Sequence, residues 1–245
     1  MTTDYDRIAR EYQASKLQPW RTHIERHTLM RLTGAVAGLQ VLDLACGEGY
    51  YTRLLRSLGA GPVTGADLSQ GMIDLARAQE AAEPLDVRYE VADARAVDQR
   101  EGNDLVFAAY LLNYAKDHGE LLAMCRAIVR NLKPGGRFVT VNNNPGDPPG
   151  NFETGRMYGY SKQLDGPLAD GAPVHWRFHL PEGTIGVTNY HLAPATMERA
   201  MEEAGLRDIR WHPAEVSPEG RAQWGDAHWQ PFLDNPPIAF LDCVK

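Results

Sequence analysis

Up to Thr33, apolar side chains recur every three or four positions: Ile8, Ala9 and Tyr12, then Ile24, Leu29 and Leu32. That period predicts helices over 3–15 and 17–33, closed by Gly34 and Gly38. An apolar run over 39–45 predicts a buried strand, and Gly47-Glu48-Gly49 ends it. Tyr51, Leu54, Leu55 and Leu58 return to helical spacing and stop at Gly59. The alternation then repeats. Strands are predicted over 62–67, 87–91, 104–109 and 137–141, with Ser69 as N-cap of a helix that uses Met72, Ile73 and Ala76. Leu121, Cys125, Ile128 and Leu132 form one face of a further helix, ended by Pro134-Gly135-Gly136. Strands separated by helices pair in parallel through right-handed crossovers. The class is α/β, with a doubly wound sheet.

After Val141 the rhythm breaks. Residues 142–150 are turn-rich, and Trp176, Phe178 and Leu180 alternate with polar residues as in a strand. A second strand over 185–192 follows Pro181-Glu182-Gly183, which predicts a β-hairpin. Pro194 opens a helix with Met197, Ala200, Met201 and Ala204 on one face and Gly205 at its end. The last two strands are expected over 207–212 and 238–244. The organisation expected is one domain over 1–245: helical 1–38, a core over 39–141, a β-rich cap inserted over 142–192 above the sheet's functional edge, and 193–245 completing the sheet.

Composition narrows the class. Hydrophobic residues make up 43% and charged residues 23% of 245 positions, as in ordinary globular proteins. No apolar run approaches the ~20 residues of a membrane-spanning helix, and the first dozen residues are too charged for a secretory signal. The net charge of −7 suits neither nucleic acid nor an anionic membrane as partner. Cys46, Cys125 and Cys243 lie far apart, forming neither a disulfide framework nor a metal pair. A cytoplasmic protein with reduced thiols and no metal is expected.

In open α/β sheets, ligands bind beyond the carboxyl ends of the strands, where the strand order reverses. There the first strand runs into Asp43-Leu44-Ala45-Cys46-Gly47-Glu48-Gly49. The glycines permit a tight turn and bare backbone at a helix N-terminus. Thr52 stands where a dinucleotide fingerprint needs its third glycine, and Asp43 and Glu48 bring negative charge where a pyrophosphate would sit. A nucleoside ligand bearing positive charge is therefore favoured over NAD. Asp67 ends the second strand, placed to accept both ribose hydroxyls. Asp93 follows the third, placed to accept from an adenine amino group, with the Ala94 N–H beside it. The fourth strand ends in Phe107-Ala108-Ala109-Tyr110, whose free carbonyls suit an ammonium group. Each acid alone is a common helix cap or surface residue; three at successive strand ends, with the glycine turn, form a site.

Taken in order, D-L-A-C-G-E-G (43–49), G-A-D-L-S (65–69), A-D-A (92–94) and L-K-P-G-G (132–136) resemble the successive motifs of class I S-adenosylmethionine-dependent methyltransferases, over nearly the whole chain. The resemblance implies a Rossmann-like seven-stranded sheet and S-adenosylmethionine as cofactor. It implies that Asp43 and the backbone of Ala45 to Gly47 line the methionine side, and that Asp67 binds the ribose. Leu68 and Met72 would flank the adenine, Asp93 and Ala94 read its edge, and Ala108 holds the amino group. The segment from Tyr5 to Tyr12, with Asp6, Ile8 and Ala9, resembles the N-terminal helix that closes over the cofactor in small-molecule members. Arg21, after Pro19-Trp20, would pair with the methionine carboxylate. Tyr110-Leu111-Leu112-Asn113-Tyr114, Trp211-His212-Pro213 and Ala239-Phe240-Leu241 look most like toxoflavin-type (azapteridine) N-methyltransferases of natural-product biosynthesis.

The expected activity is methyl transfer to a ring nitrogen of a small heteroaromatic metabolite by a monomer or homodimer. Another small-molecule O- or C-methyltransferase, a non-catalytic binder of the cofactor and a nucleotide-dependent oxidoreductase are the rivals. Tyr110, Asn113, Trp176 and Tyr190 are the candidates for contact with the acceptor. His175, His179 and His191 are base candidates if the acceptor needs one, each also read as a surface residue of the hairpin. Asp147-Pro148-Pro149 lacks the following aromatic of an amino-methyltransferase motif and is read as a loop. His175 and His179 would share one strand face with Arg177 between them, which is a poor setting for a dication. Tyr158, Tyr160 and Phe178, with Trp176 and Tyr190, divide between packing the hairpin and facing the acceptor.

Overall fold

The computed structural model describes Tyr5, Tyr12, Gln13, residues 15–98 and residues 102–245. Most of the predicted first helix, including Asp6, Ile8 and Ala9, lies outside the described residues. A π-helical turn, Arg21–Arg26, runs into α1, His27–Thr33. Strand β1, Val41–Leu44, leads through the glycine turn into α2, Tyr50–Ser57. Next come β2 (Val63–Asp67), α3 (Gln70–Ala82) and β3 (Val87–Val91). They are followed by β4 (Asn103–Ala109), α4 (His118–Asn131) and β5 (Leu132–Asn143). The Ser69 side chain accepts the Met72 N–H at 3.1 Å, the N-cap expected of it.

A separate antiparallel sheet follows: β6 (Tyr160–Leu164), β7 (Pro173–Leu180) and β8 (Gly183–Tyr190), in that order. The chain returns through α5 (Pro194–Ala204) and β9 (Arg207–His212), then α6 (Pro218–Trp224) and α7 (Asp226–Asp234), to β10 (Ile238–Val244). The main sheet has seven strands in the order β3-β2-β1-β4-β5-β10-β9. The first five pair in parallel, whereas β10 runs antiparallel to both neighbours. The strand order reverses between β1 and β4. Register places Leu44 beside Ala66 and Asp67 beside Val91, so residues just past β1, β2 and β3 share one rim.

Both faces of the sheet are covered. Phe107, Val139 and Phe240 belong to a core with Trp20, Ile24 and Leu55, while their neighbours Val106, Phe138 and Leu241 belong to another with Leu121, Ile128 and Met201. Adjacent residues facing opposite layers is the alternation a doubly covered strand requires.

Four expectations need correction. Helix α4 stops at Asn131, and 132–136 already belong to β5. Pro134-Gly135-Gly136 is an irregular entry to the strand, with Gly135 at φ 76° and a register shift opposite Asn103. Strand β1 is shorter than the apolar run that marked it, and β5 continues to Asn143, into the predicted loop. Strand β6 and helices α6 and α7 carried no clear period. Among the described residues, no helix is long and apolar enough to cross a membrane.

Candidate functional site

The turn after β1 carries three left-handed residues, Ala45 (φ 57°), Gly47 (φ 58°) and Gly49 (φ 86°). A Cβ added at Gly49 would lie 2.3 Å from the Tyr89 hydroxyl, whereas one at Gly47 meets nothing within 4 Å. Gly49 is therefore held by packing, and Gly47 faces open space. That space is a cavity of about 460 Å³ at the ends of β1, β2, β3 and β4, within the usual range for ligand sites. Of the residues the motifs singled out, Tyr5, Tyr12, Asp43, Ala45, Gly47, Asp67, Leu68, Met72, Asp93, Ala94, Tyr110 and Tyr190 line it.

Acidic side chains converge here. Asp67 Oδ2 accepts the Gly47 N–H at 2.8 Å and Oδ1 accepts the Ser69 N–H at 2.9 Å. Burial raises its pKa above the usual carboxylate value against those two donors. Asp43, 1% exposed, accepts the Thr52 hydroxyl at 2.6 Å. Burial pushes its pKa to about 7, with Asp67 and Glu48 adding to the shift and Thr52 and Lys16 opposing it. Asp93 is engaged by Arg95, whose Nε lies 2.9 Å from Oδ1, and hydrogen bonding from that guanidinium lowers its pKa.

Lys16 is a cation of this cavity that the sequence reading missed, as are Arg95 and Lys116. It lines the cavity, makes no ion pair among the described residues, and lies 5.3 Å from the ring centre of Tyr12 and 5.7 Å from those of Tyr51 and Tyr110. Burial works against its charge, but Tyr12 and Glu25 together raise its pKa above the lysine norm. Arg21 is turned away from this cavity. Its Nη1 donates to Glu25 at 2.8 Å, and its guanidinium carbon sits 4.9 Å from the Phe178 ring centre. Glu25 also accepts from Tyr51 at 2.8 Å and Tyr110 at 2.5 Å. The i,i+4 spacing of Arg21 and Glu25 was the available signal for this pair.

One side of the cavity is a wall of tyrosines. Tyr110 holds a left-handed φ of 66°, rare outside glycine and asparagine and sustained here by its bond to Glu25. The hydroxyls of Tyr5 and Tyr114 meet, and Tyr5 packs edge-on against Tyr12 at 5.2 Å. Tyr190 joins from β8. Trp176, by contrast, is 3% exposed and packs on Phe178 and Tyr160, which with Tyr158 form the core between the small sheet, Trp20 and Phe232. Ala108 is wholly buried, and the cavity wall begins at Ala109. Asn113 is buried beside a smaller cavity, and the half-buried His191 lines the same cavity, its pKa lowered by desolvation. His175 contacts Asp165 at 2.9 Å and His179 contacts Ser161 at 3.0 Å, so the two do not converge on a common point.

Comparisons with known proteins agree with this geometry. Residues 41–136 match the family described as Methyltransferase domain. The chain is 32% identical over 184 residues to the ubiquinone biosynthesis O-methyltransferase of Coxiella burnetii, covering 72% of this chain and 69% of that enzyme. It is 31% identical over 148 residues to the demethylmenaquinone methyltransferase of Lactococcus lactis subsp. lactis, covering 59% of this chain and spanning only 56% of that enzyme. The solved structure of the CcbJ methyltransferase from Streptomyces caelestis superposes with a TM-score of 0.67 at 21% identity, covering 99% of this chain and 97% of that one. At that identity the likeness speaks for the fold alone.

Proposed function

We propose that this chain, which belongs to the class I S-adenosylmethionine-dependent methyltransferases, methylates a ring nitrogen of a small planar heteroaromatic acceptor beside the tyrosine wall. The observation that carries the cofactor assignment is the charge pattern of the large cavity: Asp43, Glu48 and Asp67 line it together with Lys16, which is in no ion pair among the described residues. A sulfonium, an ammonium, a ribose diol and one carboxylate match that set. The cofactor supplies an electrophilic methyl group on its sulfonium sulfur.

The chain's own residues bind and orient. Asp67 has lone pairs beyond those given to Gly47 and Ser69, and these suit the ribose hydroxyls. Leu68 and Met72 flank the adenine, while Ala94 and Asp93 read its edge. Asp43 and the Ala45 to Gly47 backbone face the methionine side. Lys16, in place of Arg21, takes the carboxylate. Tyr5 and Tyr12 close the site. Aligning the acceptor near contact distance is the main catalytic task, and excluding water favours a reaction whose charges diminish. A ring nitrogen with an accessible lone pair needs no base. His191, which follows the cavity-lining Tyr190 and lines the neighbouring small cavity, is the base candidate for one that does.

Support for a heteroaromatic acceptor, including an azapteridine of the toxoflavin type, comes from the motif resemblance at 110–114 and from aromatic faces at Tyr110, Tyr114 and Tyr190. A second reading, O- or C-methylation of a quinol, is favoured by the curated relatives. A methyl-transfer screen over azapteridines, purines, phenols and quinols separates the two. Turnover of quinols with none on any nitrogen heterocycle would overturn the acceptor assignment. Absence of S-adenosylhomocysteine binding by calorimetry would overturn the cofactor assignment.

A further inference from the structure

Among the described residues, three cations line the large cavity: Lys16, Arg95 and Lys116. Lys16 faces the cofactor's carboxylate in the reading above. Arg95 is engaged by Asp93, with Nε 2.9 Å from Oδ1 and Nη2 2.5 Å from Oδ2. Lys116 remains. Its ammonium makes no ion pair or hydrogen bond among the described residues, and it lies 5.6 Å from the ring centre of Tyr190, within reach of a cation–π attraction. Glu120, one turn away, acts on the backbone instead: its Oε2 accepts the Lys116 N–H at 3.0 Å, beside the Asp117 N-cap of α4. Lys116 and Tyr190 belong to different sheets' connections, and the backbone ties them together through Gly171. A Cβ at Gly171 would lie 2.8 Å from the Lys116 carbonyl oxygen, and the Gly171 N–H donates to the His191 carbonyl at 2.8 Å. Gly171 has a left-handed φ of 84°, so this approach needs a residue without a side chain.

We propose that Lys116 is a specificity-determining residue for the acceptor, and that the acceptor's ring carries a carboxylate. The ring stacks on Tyr190, and the carboxylate meets the ammonium beside it. The charge balance of the cavity supports an anionic acceptor. Asp43, Glu48 and Asp67 answer the cofactor's positive groups and its diol, Arg95 holds Asp93, and Lys116 is the cation left without a counter-charge. Lys116 is exposed, so the carboxylate keeps much of its hydration there. The pair is then worth what a rim ion pair is worth, enough to choose between acceptors and too little to dominate affinity. This inference rests on the reading above of a flat ring beside the tyrosine wall.

The test uses the intact protein with two matched pairs of probes: nicotinate with nicotinamide, and 4-hydroxybenzoate with 4-hydroxybenzamide. Each pair is alike in shape and differs in charge. In the first, the pyridine nitrogen's lone pair forms the bond to the methyl carbon as the S–C electron pair passes to sulfur, and no proton leaves. In the second, the phenol oxygen forms that bond and its proton goes to water. Steady-state methyl transfer, and calorimetry with S-adenosylhomocysteine present, give the acid-to-amide ratio of kcat/KM and of affinity. Wild type should favour the acid ~5-fold, less as salt rises and screens the exposed charge. Lys116→Met, which keeps the aliphatic stem, should bring the ratio to about one, and Lys116→Arg should restore it. No preference for the acid in either pair, or a preference that survives intact in Lys116→Met, overturns the role of Lys116. A Lys116-dependent preference in the nicotinate pair upholds both readings. If it is found in the 4-hydroxybenzoate pair alone, the ring-nitrogen reading falls and the assignment of Lys116 stands.

Discussion

Arg21 and Glu25 face each other across one helical turn, 2.8 Å apart and 3% and 1% exposed. A carboxylate so placed depends on its partner. Removing the guanidinium leaves Glu25 buried with the two tyrosine hydroxyls and the more weakly acting charge of Lys16, and breaking one half of a buried pair costs ~3–5 kcal/mol. Arg21→Leu should therefore lower stability by that order, read as a fall in the urea midpoint. A stable variant whose only defect is a raised cofactor KM would show instead that Arg21 reaches the ligand.

Lys16→Met removes the cation on the cavity wall while keeping the aliphatic stem that packs among the tyrosines. Affinity for S-adenosylhomocysteine should fall ~10-fold, the value of a charge-assisted bond, while methylthioadenosine, which has no carboxylate, binds as before. Equal losses for both ligands would exclude Lys16 as the carboxylate partner.

Asp43 makes stability depend on pH. Burial holds its folded pKa at about 7 against an ordinary 3.8. Between those values the folded state keeps a proton that the unfolded chain has released, so stability falls as pH rises through the window, and the whole penalty is present above it. Asp43→Asn should raise the stability of the ligand-free protein by ~2–4 kcal/mol at pH above about 7 and leave it nearly unchanged near pH 4. Thermal melts of both proteins across that range check this. A shift that is the same at every pH would contradict it.

The two glycines of the turn should separate under the same substitution. Gly47→Ala places a methyl in open space at a left-handed φ, costing ~1–2 kcal/mol of stability but obstructing the ligand. Gly49→Ala drives a methyl into the Tyr89 hydroxyl and should cost ~2–4 kcal/mol, strain and overpacking together. Calorimetry with S-adenosylhomocysteine should show the first to be mainly a binding defect and melting should show the second to be mainly a folding defect. The opposite ranking would mean that Gly47 does not face the ligand.

The parallel half of the sheet was legible because each strand there is a short apolar run bounded by a turn, and the strand-end acids carry no competing explanation as a set. Asp67 and Asp43 stand on one cavity because β1 and β2 are in register, which periodicity anticipates. Lys16 and Glu25 were not legible in the same way. Their importance arises from packing between the N-terminal helical region and the end of β4, at sequence separations no local pattern encodes. The placement of Trp176 and Asn113 was missed for a related reason. An aromatic or amide near a site is read equally well as wall or as lining until the small sheet is set against the large one. Helix α7 was hidden by its interior Pro231, although Trp229 and Phe232 bury its inner face.

The antiparallel placing of β10 between β5 and β9 governs how the molecule is assembled in time. Among the described residues strand β9 pairs with β10 alone, and the open side of β5 is covered by the same strand, with Val141 opposite Phe240. While the chain is being synthesised at ~5–20 residues per second, β9 waits unpaired and β5, held by β4 on one side, keeps its other edge open until 238–244 emerge. Two strand edges, one of them in the middle of the finished sheet, are thus exposed at once, which is the condition under which strands seek neighbours on other chains. Closure of the sheet is a late, long-range event, so substitutions in β10 will be felt first as lost yield of soluble protein and only afterwards as lost catalysis.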